Sequence, residues 1–154
     1  MPMPCYLTVA EYPGSCDQIG HEGQILVYSV HHNVDVPVDA QSGTQIGHRT
    51  HHPLKIMKVI DKSSPGLLNA LTTAQRLSQV TLAFYRIDPT GVEQKYYTIT
   101  LTNAVIVDIS LDVPVTFDPQ YESYHHMENV SFVYEQIEWE WIPDGVMEMD
   151  EWLA

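Results

Sequence analysis

Eight histidines are the residues of this chain best equipped for chemistry, because a neutral imidazole ligates transition metals and exchanges protons near neutral pH. Six fall in adjacent pairs, His31-His32, His51-His52 and His125-His126, while His21 and His48 stand alone. Adjacent residues on a strand point to opposite faces. No H-x-H pair on one strand face, and no H-x-x-x-H pair on an expected helix, aims two imidazoles at one ion. The pattern predicts loop and surface histidines, with no metal and no cofactor. His21-Glu22 lacks the second histidine of H-E-x-x-H, and neither G-x-S-x-G nor a P-loop is present. Glu138 and Glu140 have the composition of a glycosidase pair, but in an acidic strand they read as a solvated face. Cys5 and Cys16 lack C-x-x-C spacing, and nothing nearby in sequence depresses a thiol pKa. Trp139, Trp141 and Trp152, with nine tyrosines, could stack on sugars or bases; without nearby cations, core or interface packing explains them better. No catalytic residue is assigned, and the chain reads as a non-enzyme.

Charge narrows the partners. The formal net charge is -13, which argues against nucleic acid or an anionic membrane surface as a partner. Residues 1–95 hold eight acidic and seven basic side chains, and residues 96–154 hold twelve acidic side chains with no Lys or Arg. An acidic face of one domain explains this polarity most simply. Head-to-tail assembly, with the basic stretch Arg49 to Lys62 meeting a neighbour's acidic face, is the sharper alternative. The start Met-Pro-Met-Pro-Cys-Tyr lacks a signal-peptide pattern, and no apolar run approaches ~18 residues, so a soluble cytoplasmic chain is expected.

The elements that position these residues are mainly β. Alternation predicts strands over Cys5–Glu11, Gln24–His32 (covered on both faces), Leu54–Ile60, Gln79–Ile87, Glu93–Leu111 and Met127–Trp141. The turn Asp88-Pro89-Thr90-Gly91 makes a hairpin of the fourth and fifth. In Glu93–Leu111, Tyr97, Ile99, Leu101, Val105 and Val107 share the core face, with a bend or bulge near Asn103-Ala104. In Met127–Trp141 the apolar phase changes from Val130, Phe132 and Tyr134 to Ile137, Trp139 and Trp141, which asks for a bulge near Glu135. Ser64-Pro65 opens the one legible helix, Pro65 to Gln75, with Ser64 as its cap and Leu67, Ala70, Leu71 and Ala74 as its stripe. Asp112–His126 reads as a loop. Residues 1–142 form the body, and 143–154 an acidic, mobile tail on which Trp152 and Leu153 could dock. Val36 to Pro53, rich in proline, glycine and turn residues, is a long connection. Loops of that length are uncommon unless functional or ordered by something outside their own domain.

Taken in order, Pro37-Val38-Asp39-Ala40-Gln41-Ser42-Gly43, Gly47-His48-Arg49-Thr50-His51-His52-Pro53, Asp61-Lys62-Ser63-Ser64-Pro65, Phe84-Tyr85-Arg86, Tyr96-Tyr97-Thr98-Ile99, Asn103-Ala104-Val105-Ile106-Val107 and Glu128-Asn129-Val130-Ser131-Phe132-Val133-Tyr134 resemble the haemolysin-coregulated protein family, the tube proteins of bacterial type VI secretion. The resemblance implies a small single-domain β-barrel of short antiparallel strands with one flanking helix. It also implies homohexameric rings that stack into a tube, a contractile sheath and a spike as partners, effector cargo in the lumen, and ejection from the cytoplasm without a signal peptide. The long loop then supplies a subunit interface through Pro37, Asp39, Gln41, Ser42, Gly43, Gly47, His48, Arg49, His51 and Pro53, with Arg49 as its anchor on a neighbour. Gly66 and the acidic tail depart from the family pattern. A stand-alone oligomeric β-domain that binds carbohydrate is the alternative.

Overall fold

The computed structural model describes residues 3–121 and 125–152. The strands are β1 (Cys5–Val9), β2 (Ile25–His31), β3 (Val34–Asp35), β4 (Thr50–His51), β5 (Leu54–Val59), β6 (Leu77–Ile87), β7 (Glu93–Asp112), β8 (Met127–Val133), β9 (Gln136–Trp141) and β10 (Val146–Glu151). Helix α1 spans Ser64–Thr72 between β5 and β6. The ladder β7-β6-β1-β2-β5-β8 closes because β8 also pairs with β7. Closure leaves these six strands without the free edges that would template aggregation. Strand β9 pairs with the first half of β7 and β10 pairs with β9, so this hairpin continues the barrel wall outward.

The long β7 makes this possible, and it does so by changing face. Ile99 and Leu101 are buried, but beyond them Ala104 and Ile106 are buried while Val107 is exposed. The expected core positions Val105 and Val107 are therefore displaced by their neighbours. Asn103 takes a left-handed φ of 52°, a conformation that Asn tolerates better than most residues. Its amide donates to Glu135 on the facing chain. The facing strand breaks at the same level, between Val133 and Gln136, and its pairing with β7 resumes in the same register. Both segments switch phase together, so no extra residue is needed at Glu135; the register shift lies instead between Ile106 and Asp108.

The core gathers Leu7, Val9, Ile25, Val27, Leu54, Ile56, Val80, Leu82, Leu101, Ile106, Val130, Phe132 and Ile137, with Leu67 and Ala70 of α1 packed onto it. Helix α1 lies against β7. It ends before the expected Gln75, because Ala74 turns left-handed at φ 53°. Its cap is also different. Ser63 occupies the cap position, and the Ser63 N–H donates to the Asp61 carboxylate at 2.9 Å. The Ser64 hydroxyl instead donates to Glu128 at 2.7 Å and accepts from Lys58 at 3.0 Å. Lys58 is fully buried on the inward face of β5 and forms an ion pair with Glu128 of β8. Burial works to raise the Asp61 carboxyl pKa, but the Ser63 hydroxyl and Lys58 outweigh it and hold it below the ordinary range. Gly66 leaves room for Tyr12, whose ring would lie 2.3 Å from an added Cβ.

Strand β2 is not covered on both sides: Tyr28 is half exposed and Ser29 is open to solvent. Residues 146–151 of the acidic tail are ordered as β10. Trp152 packs against the core, while Leu153 lies outside the described residues. No helix of the described chain is long and apolar enough to cross a membrane.

Candidate subunit interface

Between Asn33 and Pro53 the chain leaves the barrel and returns as a hairpin arm rather than an irregular loop. Val34 pairs with His51 and Asp35 with Thr50 at its foot, and Val38 bridges Gln45 farther out. At the tip, the Asp39 N–H donates to the Thr44 carbonyl and the Gly43 N–H to the Asp39 carbonyl, each at 2.8 Å. The Gln41 N–H donates to the Asp39 carboxylate at 3.0 Å, which, with Ser42, holds that carboxyl below its usual range. Gly43 supplies the left-handed residue of this turn, at φ 71°. Prolines interrupt the pairing, so the arm has ladder bonds only in short pieces.

The arm is organised internally, yet among the described residues most of its side chains beyond the foot are left exposed. Pro37, Gln41, Ser42, Gly43, Gly47, His48, Arg49 and Pro53 are exposed, and Asp39 is half-buried within the turn. Val34, Val38 and Ile46 add exposed apolar side chains. A second apolar surface follows the end of β7, where Val107, Leu111, Val113, Val115 and Phe117 are exposed, Phe117 at 94%. Pattern reading missed it, because half of it lies in a segment read only as loop.

Arg49 and His51 depart from the loop-surface expectation. The Arg49 Nε donates to the Asp150 carboxylate at 2.5 Å and Nη2 donates to the Glu151 carbonyl at 2.7 Å, both within the same chain. His51 is buried, with Nε2 2.6 Å from Asp150 and Nδ1 2.6 Å from the Tyr134 hydroxyl. The same hydroxyl lies 2.8 Å from His32 Nε2. One proton assignment satisfies every partner: His32 Nε2–H donates to Tyr134, Tyr134 O–H donates to His51 Nδ1, and His51 Nε2–H donates to Asp150. Arg49 first, and then His51, hold the Asp150 carboxyl low against the opposing effect of burial. Burial, with Asp150, pushes the Tyr134 hydroxyl up. The Trp152 ring lies 5.0 Å from that of His51 and closes the cluster. Nothing local in the sequence brought Tyr134, Asp150 and His32 together at His51; the single hint was an aromatic residue inside an acidic tail.

His21 is also buried, against the surface expectation. It stacks on Tyr6 with ring centroids 3.8 Å apart, and Nε2 lies 2.5 Å from the Glu93 carboxylate. Among the described residues, no group of three or more His, Cys, Asp or Glu is arranged to hold a metal. The tryptophans do have a cation nearby: the Arg86 guanidinium lies 5.1 Å from the Tyr96 ring centre and 5.5 Å from that of Trp141. The Trp141 N–H donates to Asp144 at 2.9 Å. Trp139 is partly buried against the core.

The family model for "Type VI secretion system effector, Hcp" matches residues 6–141. The Major exported protein of Pseudomonas aeruginosa is 41% identical over 139 residues, covering 90% of this chain and 81% of that one. Hcp1 of Escherichia coli EAEC 042 superposes with a TM-score of 0.83 at 30% identity, covering 99% of both chains. The secreted protein Hcp3 of Pseudomonas aeruginosa gives 0.79 at 31% identity, covering 99% of this chain and all of that one. A closed barrel, a projecting arm and a family match over most of the chain agree, and the chain belongs to the Hcp family of type VI secretion proteins.

Proposed function

We propose that this chain is a structural subunit of the type VI secretion inner tube. Six copies close a ring, rings stack, and the tube is ejected from the cytoplasm by a contractile sheath behind a spike, with effector cargo in its lumen. The observation that carries this reading is the arm: the chain from Val34 to His51 folds back on itself through short pieces of ladder while keeping Val34, Val38 and Ile46 exposed. Such a surface costs solubility unless a partner covers it. The residues from Pro37 to Pro53, other than Arg49 and His51, face a neighbouring copy, and the shelf from Val107 to Phe117 offers further apolar area. A closed ring needs roughly 2,000 Å² or more per interface, as obligate assemblies do. The subunit works by contact rather than catalysis.

Export is part of the same reading, supported by the relatives named as exported and secreted proteins. The carbohydrate-binding alternative is weaker, because Trp139, Trp141 and Trp152 are engaged by the core, by Arg86 and Asp144, and by His51 respectively.

Sedimentation velocity with electron microscopy tests the proposal. A six-subunit species showing rings is expected, and a monomer at high protein concentration overturns it. Each copy carries a formal charge of -13, so stacking brings like-charged rings together. Salt at ~0.1 M screens exposed charges beyond about 10 Å; stacking therefore strengthens with salt, while ring closure stays nearly independent of it.

A further inference from the structure

Strand β10 lies beyond residues 6–141, the part matched by the family model, yet it makes the densest set of polar contacts at the foot of the arm. We infer that Asp150 is a positioning residue for the arm: by holding Arg49 and His51 of its own chain, it sets the direction in which the arm leaves the barrel. This rests on the reading of the arm as the assembly surface.

The arm needs such a brace. Its foot is a ladder of two residue pairs, Val34 with His51 and Asp35 with Thr50, extended by one bond from the His52 N–H to the Asn33 carbonyl at 3.0 Å. A ladder that short is marginal alone and would pivot about Asn33 and His52. Asp150 meets the returning limb at two positions, Arg49 and His51, on either side of Thr50. The Glu151 carbonyl takes a second Arg49 donor, so the guanidinium is held at two points and the arm cannot swing without breaking both. His51 is in turn fixed to the barrel through Tyr134. Strand β10 cannot drift either, because it is paired along its length with β9 and the Trp152 N–H donates to the Glu135 carbonyl at 2.8 Å. A pre-set arm pays less ordering entropy when it meets a neighbour. The same geometry gives Arg49 a partner inside its own chain, so the contact with a neighbour falls to the outer arm.

Charge reversal with subunit mixing decides between pairing within a chain and pairing between chains. Arg49→Asp and Asp150→Arg, each alone, should leave the β-sheet circular dichroism unchanged and raise the concentration for half-assembly about tenfold, the cost of re-ordering one or two long side chains. Both changes in one chain should restore assembly in part, through the ion pair between positions 49 and 150 but not the contacts with His51 and the Glu151 carbonyl, whereas an equimolar mixture of the two single variants should not. Recovery in the mixture equal to that of the double variant would mean that Asp150 grips a neighbour's arm, and would overturn the inference. Single variants that assemble as wild type would overturn it as well. Should a reversed charge unfold the chain, Asp150→Asn serves instead, read by amide exchange. Exchange at Asp35, Thr50 and His52, whose N–H groups face the ladder, should accelerate several-fold while β1 and β6 stay unchanged, and unchanged exchange at the foot sinks the idea. That measurement works on a monomer too, so a failure of ring formation and a failure of the brace remain distinguishable.

Discussion

Two charged clusters tie distant parts of this chain together, and they differ in what surrounds them. Under α1, Lys58, Glu128 and Ser64 are all buried in the barrel, with the half-buried Asp61 at the rim of the cluster. At the foot of the arm, Arg49 is 45% exposed and Asp150 is 28% exposed, and only His51 is sealed. In the first cluster water cannot replace a lost partner, so each group depends on the others for its solvation. In the second, water replaces most of what Arg49 loses, and the value of the contact lies in geometry more than in stability. The interior cluster fixes the helix and the β5–β8 register, while the exterior one aims an appendage.

Breaking the interior cluster should give the largest effect. Lys58→Ala strands Glu128 without a partner and should cost about 3–5 kcal/mol, read as the shift of a urea unfolding curve. Lys58→Met with Glu128→Leu should cost far less than the single change, because no buried charge remains; equal costs would mean that the pair itself stabilises the barrel. Next in size is Gly66→Ala. Its Cβ would lie 2.3 Å from the Tyr12 ring, and displacing a packed aromatic ring should cost about 1–3 kcal/mol. Unchanged stability would show that Tyr12 gives way freely.

Acid should separate the two clusters by their readouts. Asp61 and Asp150 both have carboxyls lowered in the folded state. Each therefore contributes stability that is present above the unfolded carboxyl value of about 3.9, and that is lost as pH falls through the lower folded value. Near pH 4 and above, the arm foot should keep its amide protection; below that, protection at Thr50 and His52 should fall before protection in the barrel. Simultaneous loss at both would mean that the brace is not a separate unit.

The smallest effect concerns the thiols. Burial pushes the Cys5 thiol up to about 12, while Cys16 is only half-buried. A thiol reagent at pH 8 should titrate one equivalent in the native protein and two in denaturant. Two native equivalents would show that the barrel opens readily at β1.

Local sequence pattern determined much of this protein. The mainly β class, the β6–β7 hairpin, the helix stripe of Leu67 and Ala70, and the place of the arm could all be read from it, because each depends on neighbours within a few positions. The ordered family resemblance extended that reading to the barrel and to type VI secretion. What the pattern could not decide was which distant residues share a register. The switch of face at Asn103 needs a matching break at Tyr134-Glu135 on another chain segment, so alternation alone placed Val105 and Val107 on the wrong side. Lys58 shares a strand face with Leu54 and Ile56, but its burial depends on Glu128, seventy residues away. His51 lies ninety-nine residues from Asp150, and it becomes a buried hub only once β10 is paired beside β9. Pairings that far apart are fixed by closure of the barrel, which packs the whole core at once, and tertiary structure alone settles them.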